Sequence, residues 1–170
     1  MKFIRQQPFR VIRSVRVFRD SERIGADWQE TVRFEDVDSA YCLGMSTILR
    51  HGDITEKIIG CAFQVHRTLG SGFQEVIYQR AMACEMSQSG LVFAREVEQN
   101  IFYRDAVEPI GTRRADFVVA GKVLVELKAV TVLEHVHWAQ LLNYLRAYRL
   151  EVGLLLNFGS MNMTFKRLVL

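Results

Sequence analysis

The chain has 170 residues, of which 49% are hydrophobic and 24% charged, with two prolines. That is enough to bury one core, too little for a large multidomain enzyme, and too apolar for compositional disorder. Lys+Arg 22 against Asp+Glu 19 leaves a formal charge of +3, which permits nucleic acid as a partner without arguing for it.

Of the basic residues 17 are Arg and five Lys, and Arg is the better bidentate phosphate ligand, although a GC-rich coding sequence produces the same bias. Cys42, Cys61 and Cys84 are far apart and odd in number, so neither a disulfide framework nor a Cys-x-x-Cys metal site is spelled out. A reducing cytoplasm is the expected setting. No apolar run approaches the roughly 18 residues of a membrane span, so a soluble, cytoplasmic protein with no membrane partner is expected.

Residues 1–44 hold eight basic and seven acidic residues, and their apolar positions keep neither a helix nor a strand period for long. They read as an extension of doubtful structure ahead of a domain over 45–170. From Asp53 onward the chain is clearly punctuated. Asp53 is placed to cap a helix over 54–69, where Ile58, Ile59, Ala62, Phe63 and Leu69 recur at three- and four-residue spacing and Gly70 follows. Ser71 and Gln74 form a Ser-x-x-Gln capping box for a second helix, which runs to Ser89 and stops at Gly90.

Two short strands are expected over 92–98 and 100–104, then a polar loop through Pro109 and Gly111. A stronger pair, 114–119 and 122–129, is joined by a tight Ala120-Gly121 turn. A helix over 134–148 leads to 152–157, an apolar run that reads as a buried strand, and 164–170 alternates like a final edge strand.

The hairpin carries the chemistry. Strand alternation puts Val123, Val125 and Leu127 on one face, which is core, and Lys122, Leu124, Glu126 and Lys128 on the other. Charge in an apolar central strand is costly unless something compensates it. One compensation is a structural ion pair of Glu126 with Lys128, Arg113 or Arg114. The other brings in Asp116 on the partner strand: two converging carboxylates repel, and a hard divalent cation removes the repulsion.

Other polar residues have two readings each. Glu75, in the first turn of the second helix, complements the helix dipole. Tyr78 shares its face and either orients Glu75, touches substrate or packs in the core. His137, Gln140 and Tyr144 form a polar stripe on the third helix, either solvated or directed at substrate phosphate and an active-site water. Arg113 and Arg114 precede Asp116 as phosphate clamps or as a sheet-edge charge pair. His66 reads as structural.

Asp116 followed by Glu126-Leu127-Lys128 resembles the core pattern of the PD-(D/E)XK nuclease superfamily, with Ala115 where the superfamily name has Pro. Gly72-x-x-Glu75-x-x-Tyr78, Arg114-Ala115-Asp116-Phe117, Val125-Glu126-Leu127-Lys128 and Gln140-x-x-Asn143-Tyr144-Leu145 occur in that order. Together they are similar to the GxxExxY family placed in that superfamily, and the Gln140-x-x-x-Tyr144 spacing is similar to the last motif of RecB-type nuclease domains.

The resemblance implies an α/β restriction-endonuclease-like core, a mixed central sheet flanked by helices with the site at one sheet edge. It implies catalytic Asp116, Glu126, Lys128 and Gln140, with Mg²⁺ or Mn²⁺ on Asp116 and Glu126, Glu75 as an added ligand and the Leu127 carbonyl assisting. Arg113, Arg114, Tyr78 and Tyr144 would contact the substrate, a nucleic acid with DNA favoured. The alternative is a nucleic-acid- or partner-binding module with a vestigial site. Relatives of this kind begin just before Ile54, so Met45 is the expected true start. If 1–44 is translated, Arg5, Arg10, Arg13, Arg16 and Arg19 make it a basic arm.

Overall fold

The computed structural model describes residues 33–35 and 49–170. The readings made for the arginines between Arg5 and Arg19, for Cys42 and for a start at Met45 lie outside the described residues. Among the described residues, three helices and six strands follow in the order β1 (Arg33–Glu35), α1 (Gly52–Leu69), α2 (Glu75–Gln88), β2 (Phe93–Ile101), β3 (Gly111–Val119), β4 (Val123–Lys128), α3 (His135–Tyr148), β5 (Val152–Asn157) and β6 (Thr164–Val169).

The strands form a single mixed sheet ordered β1-β6-β5-β4-β3-β2. β4 and β5 are parallel and joined through α3, while the other neighbours are antiparallel. A parallel pair needs such a crossover, and the helix that makes it covers a sheet face. α1 and α2 cover the other face. Ile58, Ala62, Tyr78 and Met82 meet Phe117, Val125, Leu127, Leu154 and Leu156 there. On the α3 side Leu141, Leu145 and Tyr148 meet Leu124, Leu155 and Leu168. All six residues of β5 are buried, as a central strand covered on both faces requires.

Several local expectations are corrected. α1 begins at Gly52 after His51 in the left-handed region (φ 57), so Asp53 sits in the first turn and supplies charge toward the dipole rather than the cap. α2 begins at Glu75, with Gln74 extended and no side-chain cap, so the Ser71 and Gln74 box does not form. The turn before it is organised by Tyr78 instead, whose hydroxyl donates to the Gly70 carbonyl at 2.8 Å and accepts the Phe73 N–H at 3.2 Å. The two strands expected over 92–104 are one strand, β2. β6 is not an edge strand, because β1, drawn from the expected extension, pairs with it antiparallel.

The hairpin turn has positive φ at both Ala120 (53) and Gly121 (67), as a type I′ turn requires. Beyond it the two strands separate. β3 pairs with β4 at Val119, Val118 and Phe117 and no further. Ala115 and Val118 both pack on the α3 side although three residues apart, so alternation along β3 breaks between them, at Asp116. β2 breaks at the matching place, where Glu96 lies between Arg95 opposite Phe117 and Val97 opposite Ala115 and has φ 47. A non-glycine residue in that region stores local strain, which surrounding structure must hold in place.

Candidate active site

Tyr148, at the end of α3, fills the point where the ladder is disturbed. Its hydroxyl accepts the Ala115 N–H at 3.0 Å and donates to the Val97 carbonyl, with the Arg113 carbonyl at 3.0 Å as a second acceptor. Burial pushes its pKa up to about 12, so it stays a donor at any working pH. Tyr148 thereby ties β2 to β3 at the disturbance, and Asp116 turns into the fork between β3 and β4.

Asp116 and Glu126 meet in the fork. The Leu127 N–H donates to Asp116 Oδ2 at 2.8 Å, and the Asp116 N–H reaches Glu126 Oε1 at 3.4 Å. Glu126 is 3% exposed. Burial first, and the Asp116 charge second, push its pKa up to about 8. Asp116 is also raised, chiefly by burial, against the lowering effects of the Leu127 N–H, Lys128 and a bond from Gln79.

The structural ion pairs of Glu126 with Lys128, Arg113 or Arg114 are not formed. Arg114 lies 3.9 Å from Glu96, Arg113 donates to the Thr112 carbonyl, and neither Glu126 nor Lys128 has an ion pair within 4 Å among the described residues. Lys128 still faces all three carboxylates at longer range, lowering Glu126, Asp116 and Glu75. Glu75 opens α2 at the surface of this group. Its carboxyl is raised, chiefly by the protein around it, with Lys128 opposing and Asp116 adding to the rise.

The donor set fits a hard divalent cation in one respect and is incomplete in another. Both inner carboxylates offer oxygens that no cationic side chain neutralises, and Mg²⁺ is commonly held by one or two carboxylates while keeping several waters. Among the described residues no three His, Cys, Asp or Glu side chains gather around one point, so Glu75 does not close a three-ligand site. The site lies in a fork between interior strands, where the expectation was a sheet edge.

Other expected residues are placed differently. Tyr78 is fully buried, stacks on Phe158 with centroids 4.7 Å apart, and spends its hydroxyl on the 70–73 turn, which corrects the substrate-contact reading in favour of the core one. Gln140 donates to the Tyr144 hydroxyl at 3.1 Å, so the two form a pair on α3, with Tyr144 buried at the core margin. His137 belongs to the helix start, its Nδ1 accepting the Glu134 N–H at 2.9 Å. His66 Nε2 contacts the Ser160 carbonyl at 3.1 Å, as a structural histidine does.

Besides Tyr148, further residues around the site went unnoticed in the sequence. Gln79 donates to Asp116 Oδ1 at 3.1 Å and accepts from Arg95 at 3.1 Å. Its position one turn after Glu75, on the same helix face, was the available signal. Asn157 ends β5 opposite Lys128, and its Oδ1 accepts both the Val130 and Gly159 N–H groups at 3.1 Å. A Cβ on Gly159 would lie 2.4 Å from the Ala129–Val130 peptide, so only glycine permits this close approach. The chain just past Lys128 is thus clamped by the end of β5.

A family model described as the PD-(D/E)XK nuclease superfamily matches residues 52–168. The span takes in α1 through nearly the whole of β6, so the chain belongs to that superfamily. Its restriction-endonuclease-like core is the mixed sheet with flanking helices described above. No curated protein and no solved structure matches the chain. Among the described residues no helix is long and apolar enough to cross a membrane.

Proposed function

We propose that the protein is a metal-dependent nuclease that hydrolyses phosphodiester bonds of nucleic acid, with DNA as the first substrate to test, and that it is a GxxExxY-type member of its superfamily. The observation that carries the reading is the convergence of half-buried Asp116 and buried Glu126 in the β3–β4 fork, with no ion pair to either among the described residues and with Lys128 two residues further along β4. A divalent cation would relieve the repulsion and desolvation that otherwise hold a proton on Glu126.

Mg²⁺ or Mn²⁺ on Asp116 and Glu126 would supply Lewis acidity toward a phosphate oxygen and lower the pKa of water beside it. Asp116 is held for that role by hydrogen bonds to both of its oxygens. Lys128 would donate to the attacking water and offset the charge that grows on the phosphate. As the water oxygen bonds to phosphorus it gives up a proton to solvent, and the bond from phosphorus to one sugar oxygen breaks, that oxygen taking a proton from solvent to leave as a hydroxyl. Glu75 at the rim and Gln140 on α3 would orient water and phosphate, while Arg113 and Arg114, both exposed on β3, would contact flanking phosphates. Work in a reducing cytoplasm agrees with the exposed thiol of Cys84.

The test is cleavage of end-labelled single- and double-stranded DNA with Mg²⁺ or Mn²⁺ by the full chain and by Lys128→Ala. Cutting that needs the metal and is lost in the variant is expected. Folded protein that cuts neither DNA substrate nor RNA would contradict the reading and leave a binding module on the same fold.

A further inference from the structure

We infer that Gln79 and Arg95 are positioning residues that set the Asp116 carboxylate for a divalent cation, acting as a chain in which Arg95 holds Gln79 and Gln79 holds Asp116. The inference rests on the metal-centre reading above.

The orientation of the Gln79 amide follows from chemistry. A carboxamide has one accepting and one donating end, and a guanidinium can only donate. With Arg95 NH2 3.1 Å from Gln79 Oε1, the amide nitrogen must face Asp116, where Nε2 lies 3.1 Å from Oδ1. Reversing the amide would set donor against donor at Arg95 and oxygen against oxygen at Asp116. The Leu127 N–H takes the other carboxylate oxygen at 2.8 Å. Each oxygen therefore has one donor, the carboxylate plane is fixed, and each oxygen retains a lone pair for a cation.

The three groups come from separate elements. Gln79 is buried on α2, Arg95 is exposed on the edge strand β2, and Asp116 is on β3. Arg95 also lies over the Phe117 ring at 6.0 Å, which limits where its guanidinium can go. A glutamine serving only to satisfy its own polar atoms would not need to select the carboxylate at the strand break. Hydrogen-bond partners of metal-ligating carboxylates are the groups that orient them and tune affinity.

The experiment measures Mn²⁺ dissociation constants for the full chain by the electron paramagnetic resonance signal of free Mn²⁺, with circular dichroism and Tm recorded for every variant. Gln79→Leu is expected to weaken Mn²⁺ by about 10-fold or more, the usual cost of losing such a partner. Arg95→Ala is expected to weaken it less, Arg95→Lys to stay near the wild type because it keeps a donor, and Arg95→Ala on the Gln79→Leu background to add nothing.

Wild-type affinity in folded Gln79→Leu would overturn the inference, as would an Arg95→Ala loss of equal size with and without Gln79. Should Gln79→Leu fail to fold, the exposed Arg95→Ala decides: weakened binding with intact fold and rescue by lysine supports the chain, and unchanged binding overturns it. Wild-type protein that binds no Mn²⁺ would remove the metal centre itself, a failure distinct from a wild type that binds and a Gln79→Leu that binds equally well.

Discussion

The Leu127 N–H donates to Asp116 Oδ2 at 2.8 Å, just past the point where β3 and β4 stop pairing. One side-chain bond thus replaces the missing ladder bond, and the same bond brings a carboxylate beside Glu126. The break in the sheet and the assembly of the site are one structural event. Anything that re-closed the fork would turn Asp116 away from its partner.

Glu126 makes the metal-free protein pH-sensitive. Its ordinary value is 4.5 and the folded value is about 8, so between these the folded state holds a proton that the unfolded chain has lost. Stability then falls as pH rises through that window, and the loss is complete above the folded pKa. Glu126→Gln carries no such proton. We expect it to be the more stable protein at pH about 9, by a few kcal/mol, and no more stable than the wild type at pH about 4, in urea titrations with chelator. Parallel stability curves for the two proteins would contradict the burial of this carboxylate beside Asp116.

Tyr148→Phe removes the hydroxyl that accepts the Ala115 N–H and donates to the β2 backbone. The buried N–H is left without that acceptor, a cost of roughly 1–3 kcal/mol. Urea midpoints measure it. Because the hydroxyl also supports the ladder disturbance beside Asp116, the variant should lose Mn²⁺ affinity as well as stability. A variant as stable as the wild type would contradict the role assigned to the hydroxyl.

Asn157 is 1% exposed, and its Nδ2 has no hydrogen-bond partner among the described residues, while Oδ1 accepts two N–H groups. Only the oxygen is used. Asn157→Ala leaves both donors without it, at roughly 1–3 kcal/mol for each. Asn157→Asp keeps an acceptor in place and exchanges an unpartnered donor for an oxygen next to Lys128 in register. The aspartate variant is therefore expected to melt well above the alanine variant at neutral pH. Equal losses would show that the amide nitrogen carries a bond of its own.

The hairpin was legible because two charges, Glu126 and Lys128, in the otherwise apolar run Val123 to Ala129, preceded by the Ala120-Gly121 turn, have few explanations, and Asp116 stands ten residues ahead of Glu126. The start of α2 was not, because Ser71 and Gln74 match a capping pattern while the turn is held by a buried tyrosine hydroxyl. Glu96 carries no sequence mark of its positive φ. The bonds that orient the site join residues 37 apart, Gln79 and Asp116, or 33 apart, Ala115 and Tyr148. Periodicity and capping rules describe neighbours along the chain and are silent at such separations.

The most direct measurement follows Mn²⁺ binding and cleavage of one end-labelled DNA in the same titration, for the wild type and Asp116→Asn. The account predicts that cleavage rises over the Mn²⁺ range in which the protein binds the ion, and that the variant, still folded, loses both together. Cleavage that persists with the metal chelated, or wild-type protein that binds Mn²⁺ and leaves DNA and RNA intact, would contradict it.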